Sequence, residues 1–410
     1  MKTIPKYSIL LCMILYALFP MIQVQALYYT PISQTTFTSG SYTEVQSVTY
    51  QVEVNFSLTH NDIGNYQYLF KFTRFDNRTP NSTLTKNTPP FQQSNLTYSK
   101  ITGTASSPFY SVDKFNNTYD VFNGTLSYGE SITLDQKYLI KLNEISFSDV
   151  DYSDIKPYDN STIIFDLYCI DEIYYEKDDP VLNNTSNEIV DPEDNPIQKA
   201  IKICNWVSDY LTYDGNLPNQ EYGARWAYDN QRGDCSEYST LMITLLRCQG
   251  IPARKITGYV ISNNPTTRPE IGQKWDFTLS NGESNFLGHA WVEYYVEGIG
   301  WIACDPTWNA DYNYVNRIDY LRLNLNVGAW FSIPGGLPDE SEFPHPCIVY
   351  NLLADHNYEY SISITVIDAD LLPVDLTWIL LISISSGIVV LIIIIIAIKK
   401  GKKRKEVMGY

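Results

Sequence analysis

Histidine is scarce in this chain. Only four occur in 410 residues, and they are scattered. The seven cysteines include no Cys-x-x-Cys pair. These absences leave no spacing that suggests a zinc or haem site, and no cofactor is expected. Positive charge is also short: 29 lysines and arginines face 46 aspartates and glutamates, for a net charge of −17. Such a surface disfavours nucleic acid and anionic lipid as partners. Charged residues make up only 18%, yet apolar residues reach 44%, so composition excludes a disordered chain. No internal repeat is visible. Tyrosine is abundant, with 33 residues, which suits β-rich structure and wet surfaces.

The two ends carry address information. Lys2 and Lys6 precede an apolar run from Ile9 to Ile22, and Val24-Gln25-Ala26 follows as a cleavage site. Residues 1–26 therefore read as a secretory signal peptide. Near the other end, Thr377–Ile398 carries no charge. At ~1.5 Å per residue, that run spans roughly the ~30 Å hydrocarbon layer of a bilayer. Lys399, Lys400, Lys402, Lys403, Arg404 and Lys405 follow it. A basic cluster beside a spanning helix stays in the cytoplasm. The expected topology is a single-pass protein of the cell membrane. Residues 27–376 lie outside, one helix covers 377–398, and 399–410 form a basic cytoplasmic tail.

Residues 27–190 have a β texture. Tyr50, Val52, Val54, Phe56 and Leu58 alternate with polar residues, as in a half-buried strand. Tyr66, Tyr68, Phe70 and Phe72 repeat the pattern after a turn, and Tyr138, Ile140 and Leu142 give a third run. Strands at this density predict an all-β, sandwich-like domain. The same region holds Asn-x-Ser/Thr sequons at Asn55, Asn77, Asn81, Asn95, Asn116, Asn123, Asn160, Asn183 and Asn184, each a glycan acceptor on an exported chain. None occurs after residue 190, which suggests a first domain that tolerates bulk and a second whose surface stays open. Residues 183–196 read as a polar linker. Ile197, Ile201, Ile203, Cys204, Val207, Tyr210 and Leu211 then recur at helical spacing and open a second domain over 195–330. Residues 331–376 read as a C-terminal extension, in which 361–367 closes a sheet or stiffens a stalk. The fold class expected overall is α+β.

The chemistry concentrates in two segments. In QRGDCSEYSTLMITLLRCQGIP (231–252), Tyr238, Leu241, Met242, Leu245 and Cys248 share one helical face, and Gly250 and Pro252 stop the helix. Cys235 therefore sits at the helix N-terminus. Free N–H groups and the helix dipole favour an anion there, which makes a thiol nucleophilic. In GHAWVEYYVEGIGWIACDPTWN (288–309), His289 opens an alternating strand. Residues 297–300 turn it, and Asp305 ends the return run. Counting the ladder from that turn sets Asp305 opposite Val292, about 10 Å along the strand from His289, so a bulge or strong twist must join the pair. Six cysteines remain after the leader. An even number outside a cell suggests disulfides, but a free Cys235 would leave one cysteine odd.

RGDCSEYS, then LRCQGIPARKITGYV, then HAWVEYY and GIGWIACDPTWN resemble the transglutaminase-like superfamily of papain-type thiol enzymes. The resemblance covers about residues 197–310, with three motifs in order. It implies a papain-like core, Cys235 as nucleophile, His289 as general base and acid, and Asp305 as the group that orients the imidazole. It implies protein or peptide amides as substrates, attacked through a thioester. Some members add an upstream tryptophan as oxyanion donor, for which Trp206 and Trp226 are the candidates here. Residues 262–286 are long enough for a lid or specificity loop. Hydrolysis, as in a cysteine peptidase, is the first expectation. A cross-linking transglutaminase and a non-catalytic surface-binding protein are the alternatives. An adhesin acting through Arg232-Gly233-Asp234 would need that turn exposed.

Overall fold

A computed structural model describes residues 42–78, 88–218, 222–281, 283–328, 347–350 and 354–372. The leader 1–26, the apolar run 377–398, the basic tail and Asn81 lie outside the described residues. Among the described residues, no helix is long and apolar enough to cross a membrane.

The first six strands are β1 (Thr43–His60), β2 (Tyr66–Thr73), β3 (Gln92–Thr102), β4 (Phe109–Val112), β5 (Thr118–Leu126) and β6 (Ser131–Ser146). Each expected alternation is met. Tyr50, Val52, Val54, Phe56 and Leu58 of β1 are all buried, as are Tyr138, Ile140 and Leu142 of β6. Two sheets result, and β1 turns aromatic rings toward β2 in the other. Phe56 meets Phe72 at 4.9 Å and Phe70 at 5.9 Å between ring centroids, both edge to face.

The chain then turns helical: α1 (Ile163–Tyr168), α2 (Pro180–Ile189) and α3 (Pro196–Tyr210). The expected linker over 183–196 is corrected here, because its first half, 183–189, lies in α2. Asp179 caps that helix by accepting from Val181 and Leu182 N–H, and Pro180 suits its first turn. Its apolar face is only Leu182, Thr185 and Ser186, too short and polar to register as periodic. The region expected to be β-rich, 27–190, also contains α1 and α2, in place of strands alone.

A short strand β7 (Thr212–Tyr213) and helix α4 (Ala224–Asn230) lead to β8 (Arg232–Gly233) and α5 (Cys235–Cys248). Buried residues run from Cys235 to Arg247, so α5 is a central helix with no wet face. It packs against the four-stranded antiparallel sheet β13-β12-β9-β15. These strands are β9 (Ala253–Val260), β12 (Gly288–Val296), β13 (Gly300–Cys304) and β15 (Arg322–Val327). Helix α6 (Pro306–Tyr312) follows β13 directly, and β14 (Arg317–Ile318) precedes β15.

The segment expected as a lid or specificity loop, 262–286, contains β10 (Lys274–Ser280) and β11 (Glu283–Ser284). β10 pairs with β17 (His356–Asp370), which itself pairs with β1. The large sheet thus runs β11-β10-β17-β1-β6-β14, with β3 also on β6. The extension after 331 closes this sheet, and β16 (Cys347–Tyr350) adds to β2 in the smaller one.

No disulfide joins Cys169, Cys204, Cys235, Cys248 and Cys304 to one another. The expectation of disulfides fails for them: four are buried and Cys248 is half-buried, each packed among other groups. Cys169 points at the Arg247 carbonyl, and Cys248 donates to the Lys177 carbonyl at 3.3 Å.

Candidate active site

The start of α5 is fixed by a reciprocal cap. Asp234 accepts from Ser236 N–H at 2.7 Å, and Glu237 accepts from Asp234 N–H at 3.0 Å. Gly233 is needed just before it: a Cβ there would lie 2.2 Å from the Glu237 Cβ. The Asp234 carboxylate is consumed by the cap and Gly233 is buried, so Arg232-Gly233-Asp234 does not present an adhesive turn. Cys235 occupies the first helical position, 7% exposed. Gly250, at φ +70°, ends the helix as the sequence suggested, with Ile251 N–H returning to the Leu246 carbonyl at 3.0 Å.

His289 is the second residue of β12, opposite Gly258 of β9. A Cβ on Gly258 would fall 1.9 Å from the Leu323 carbonyl oxygen of β15, so only glycine fits between these strands. The imidazole is 6% exposed and lies between Trp291 at 6.0 Å and Trp308 at 5.2 Å.

Asp305 meets His289 without any bulge. Val292 pairs with Cys304, so the expected register was one residue out and Asp305 continues opposite Trp291. Trp291 and His289 are two apart and share a face of β12, so Asp305 and His289 are diagonal neighbours. Asp305 Oδ2 lies 2.6 Å from His289 Nε2. The same oxygen accepts from Arg322 Nη2 at 2.7 Å, while Oδ1 caps α6 by accepting from Thr307 N–H at 3.0 Å. Asp305 is fully buried. Burial alone would raise its pKa, but the charges and hydrogen bonds of His289 and Arg322 outweigh it and hold the carboxyl well below the usual range.

His289 and Asp305 meet directly, and Tyr213 lies near both Cys235 and Asp305. Tyr213 pairs with Gly233 across the β7–β8 bridge. Its phenol is pushed up to about 12, first by burial, then by the charges of Cys235, Asp234, Tyr238 and Asp305. One side chain therefore lies within electrostatic reach of both the thiol and the aspartate. His289 uses Nε2 for Asp305, which leaves Nδ1 as the ring nitrogen able to serve a thiol. Trp206 stacks on Tyr210 at 4.2 Å, and Trp226 stacks on Tyr222 at 4.3 Å with the Arg232 guanidinium 5.8 Å from its ring.

Sequence reasoning missed Arg322 and Asp319. Arg322 is fully buried, bonded to both Asp305 and Asp319 and set over Trp308 at 4.5 Å and Tyr314 at 4.4 Å. The only signal was alternation: Arg322, Asn324 and Asn326 interleave with Leu321, Leu323 and Leu325. That pattern reads as a wet strand face, whereas both faces of β15 are covered.

Residues 183–306 match the sequence profile of the transglutaminase-like superfamily. A protein-glutamine gamma-glutamyltransferase of Pseudomonas aeruginosa is 35% identical over 81 residues, 20% of this chain and 11% of that protein. The uncharacterized protein YebA of Bacillus subtilis is 26% identical over 126 residues, 29% of this chain and 16% of its own length. This chain thus spans a small part of both curated relatives. A crystal structure of a candidate cysteine protease from Cytophaga hutchinsonii aligns with a TM-score of 0.50 and 14% identity, over 81% of this chain and 95% of that one. That likeness concerns the fold alone. Residues 183–306, from α2 to the start of α6, are thus a domain of the transglutaminase-like superfamily.

Proposed function

We propose that this protein is an exported, membrane-anchored thiol enzyme that cleaves protein or peptide amides. One observation carries the reading: the buried His289–Asp305 pair at 2.6 Å, in a domain whose central helix begins with Cys235. His289 takes the Cys235 proton, and the thiolate adds to the amide carbonyl. The Cys235 backbone N–H, at the helix N-terminus, is placed to donate to the oxyanion. The C–N bond breaks, the amine leaves with the imidazolium proton, and a thioester remains. His289 then deprotonates water, which attacks the thioester, releases the acid and restores the thiol. Asp305 holds the ring through Nε2 and stabilises the imidazolium between the two steps.

The Pseudomonas relative's name supports transfer to an amine as a second reading of the same thioester. Export over a 1–26 leader, anchoring by 377–398 and glycans on the exposed Asn55, Asn77, Asn95, Asn123, Asn160 and Asn184 complete the proposal; Asn116 and Asn183 are further acceptors.

The test is alkylation of Cys235 against pH, read by peptide mass, beside His289→Ala. A rate step below pH 7 that His289→Ala abolishes is expected, with peptide amides then turned over in water. A step absent from the wild type would leave a non-catalytic surface protein. Incorporation of a labelled amine in place of hydrolysis would select the transfer reading.

A further inference from the structure

Arg322 lies outside the 183–306 family segment, yet its guanidinium joins the site at its most buried point. Nη2 donates to Asp305 Oδ2 at 2.7 Å, the same oxygen that His289 Nε2 meets at 2.6 Å. Nη1 donates to Asp319 Oδ2, which also accepts from the Tyr314 hydroxyl. Trp308 and Tyr314 cover the guanidinium, and Trp308 also packs on the His289 ring. The result is a relay of alternating charge: Asp319, Arg322, Asp305, His289.

We propose that Arg322 is a positioning residue for the thiol site, fixing Asp305 Oδ2 against the imidazole, and that Asp319 sets how strongly it does so. The proposal rests on the Cys-His-Asp reading above. Its geometry is over-determined for a merely structural ion pair. The Oδ1 atom is already fixed by the cap of α6, so Arg322 adds the constraint that aims Oδ2. A buried, doubly held guanidinium keeps a rigid fork where a lysine ammonium would be a point charge.

The charges predict opposite effects at the two ends of the relay. Arg322 is a cation near the imidazole, so it opposes the imidazolium. Asp319 is an anion beside Arg322, so it relieves that opposition. The other groups facing this relay are Tyr314 beside Arg322 and Asp319, then Cys204 of α3 and Tyr213 of β7, both of which respond to Asp305. Tyr213 also responds to Cys235 of α5.

The experiment follows Cys235 alkylation in the full-length chain across pH, for the wild type, Arg322→Gln, Arg322→Lys and Asp319→Asn. The wild type should show one step as the thiolate–imidazolium pair forms and a second as the imidazolium loses its proton. Arg322→Gln should move the second step up by about one pH unit, tenfold in proton affinity. Asp319→Asn should move it down, and Arg322→Lys should return it toward the wild type. Second steps that stay put, or that move the same way in Arg322→Gln and Asp319→Asn, overturn the proposal. If Arg322→Gln does not fold, Asp319→Asn decides by the sign of its shift. A wild type with no step below pH 7 refutes the thiol reading itself, and the proposal falls with it.

Discussion

Glu293 offers the sharpest quantitative test of how the β-rich region is tied to the four-stranded sheet that carries His289. It lies on β12, fully buried, and is clasped by two arginines. Arg78, from the β-rich region, donates from Nη2 to both carboxylate oxygens at 2.7 and 2.8 Å. Arg254, paired with it across the sheet, donates to Oε2 from Nε at 2.9 Å and Nη2 at 2.6 Å. The Arg254 guanidinium stacks 3.7 Å above Trp301. Burial weighs most on Arg78 and lowers its pKa, with Glu293 pulling the other way and Arg254 adding repulsion. Replacing Glu293 by glutamine keeps the shape and removes the only anion of this trio. Each contact between unit charges at ~4 Å contributes about 4 kcal/mol at an effective dielectric of ~20, before the arginines' repulsion and desolvation are subtracted. Breaking a buried pair from one side costs about 3–5 kcal/mol, a large share of a typical ~5–15 kcal/mol total. The assay is urea unfolding at 25 °C. Glu293→Gln should lower the unfolding free energy by that amount, seen as a lower midpoint with the denaturant slope unchanged. The triple replacement Arg78→Met, Glu293→Leu, Arg254→Met should recover most of the loss, because it leaves no orphaned charge. A single-mutant loss below about 1 kcal/mol, or a triple mutant no better than the single, would refute the reasoning.

Other expectations follow from the same geometry. Asp305→Asn keeps the α6 cap but loses the charge that stabilises the imidazolium; turnover should fall by about 10³–10⁴-fold while the fold survives, read by kcat beside a melting curve. Gly258→Ala should cost about 2–4 kcal/mol in chemical denaturation, since its Cβ would strike the Leu323 carbonyl; a neutral result would mean β9 and β15 can part freely. Asp76 accepts from the Thr118 N–H and hydroxyl and has its pKa pushed by burial to about 7. The native state then holds a proton that the unfolded chain releases near pH 4. Stability should fall as pH rises between about 4 and 7, by up to about 1.4 kcal/mol per unit, and Asp76→Asn should flatten that slope.

The strands and α5 were legible because each carries a single clean period. Tyr50 to Leu58 keep a period of two, one face buried, and the Gly250 stop of α5 is a local signal. The His289–Asp305 contact was half legible: the hairpin was evident, but its register depends on Val296 pairing with Gly300, which shifts every later pair by one. Arg322 was hidden because β15 is covered on both sides. Its polar face meets Asp305, Arg78 and Gln92 where a lone strand would meet water. The helix over Pro180–Ile189 was masked by polar residues that pack inward, with the Ser186 hydroxyl donating to the Leu245 carbonyl. β10 could not be foreseen, since its partner β17 lies far along the chain and no local pattern links them.

The position of β17 also bears on how the chain is made. In the large sheet it stands between β1 and β10, and its His356 pairs with His60 near the beginning. Because β17 is made after both β1 and β10, the sheet cannot close until that strand has emerged. Until residue 370 emerges, β1 offers one bare edge and β10 waits with no neighbour on its β17 side. Exposed edges of this kind invite mispairing, and the slow step in maturation is then the capture of one late strand by two early ones. Truncation before residue 356 should therefore yield an aggregating chain, even with Cys235, His289 and Asp305 all present.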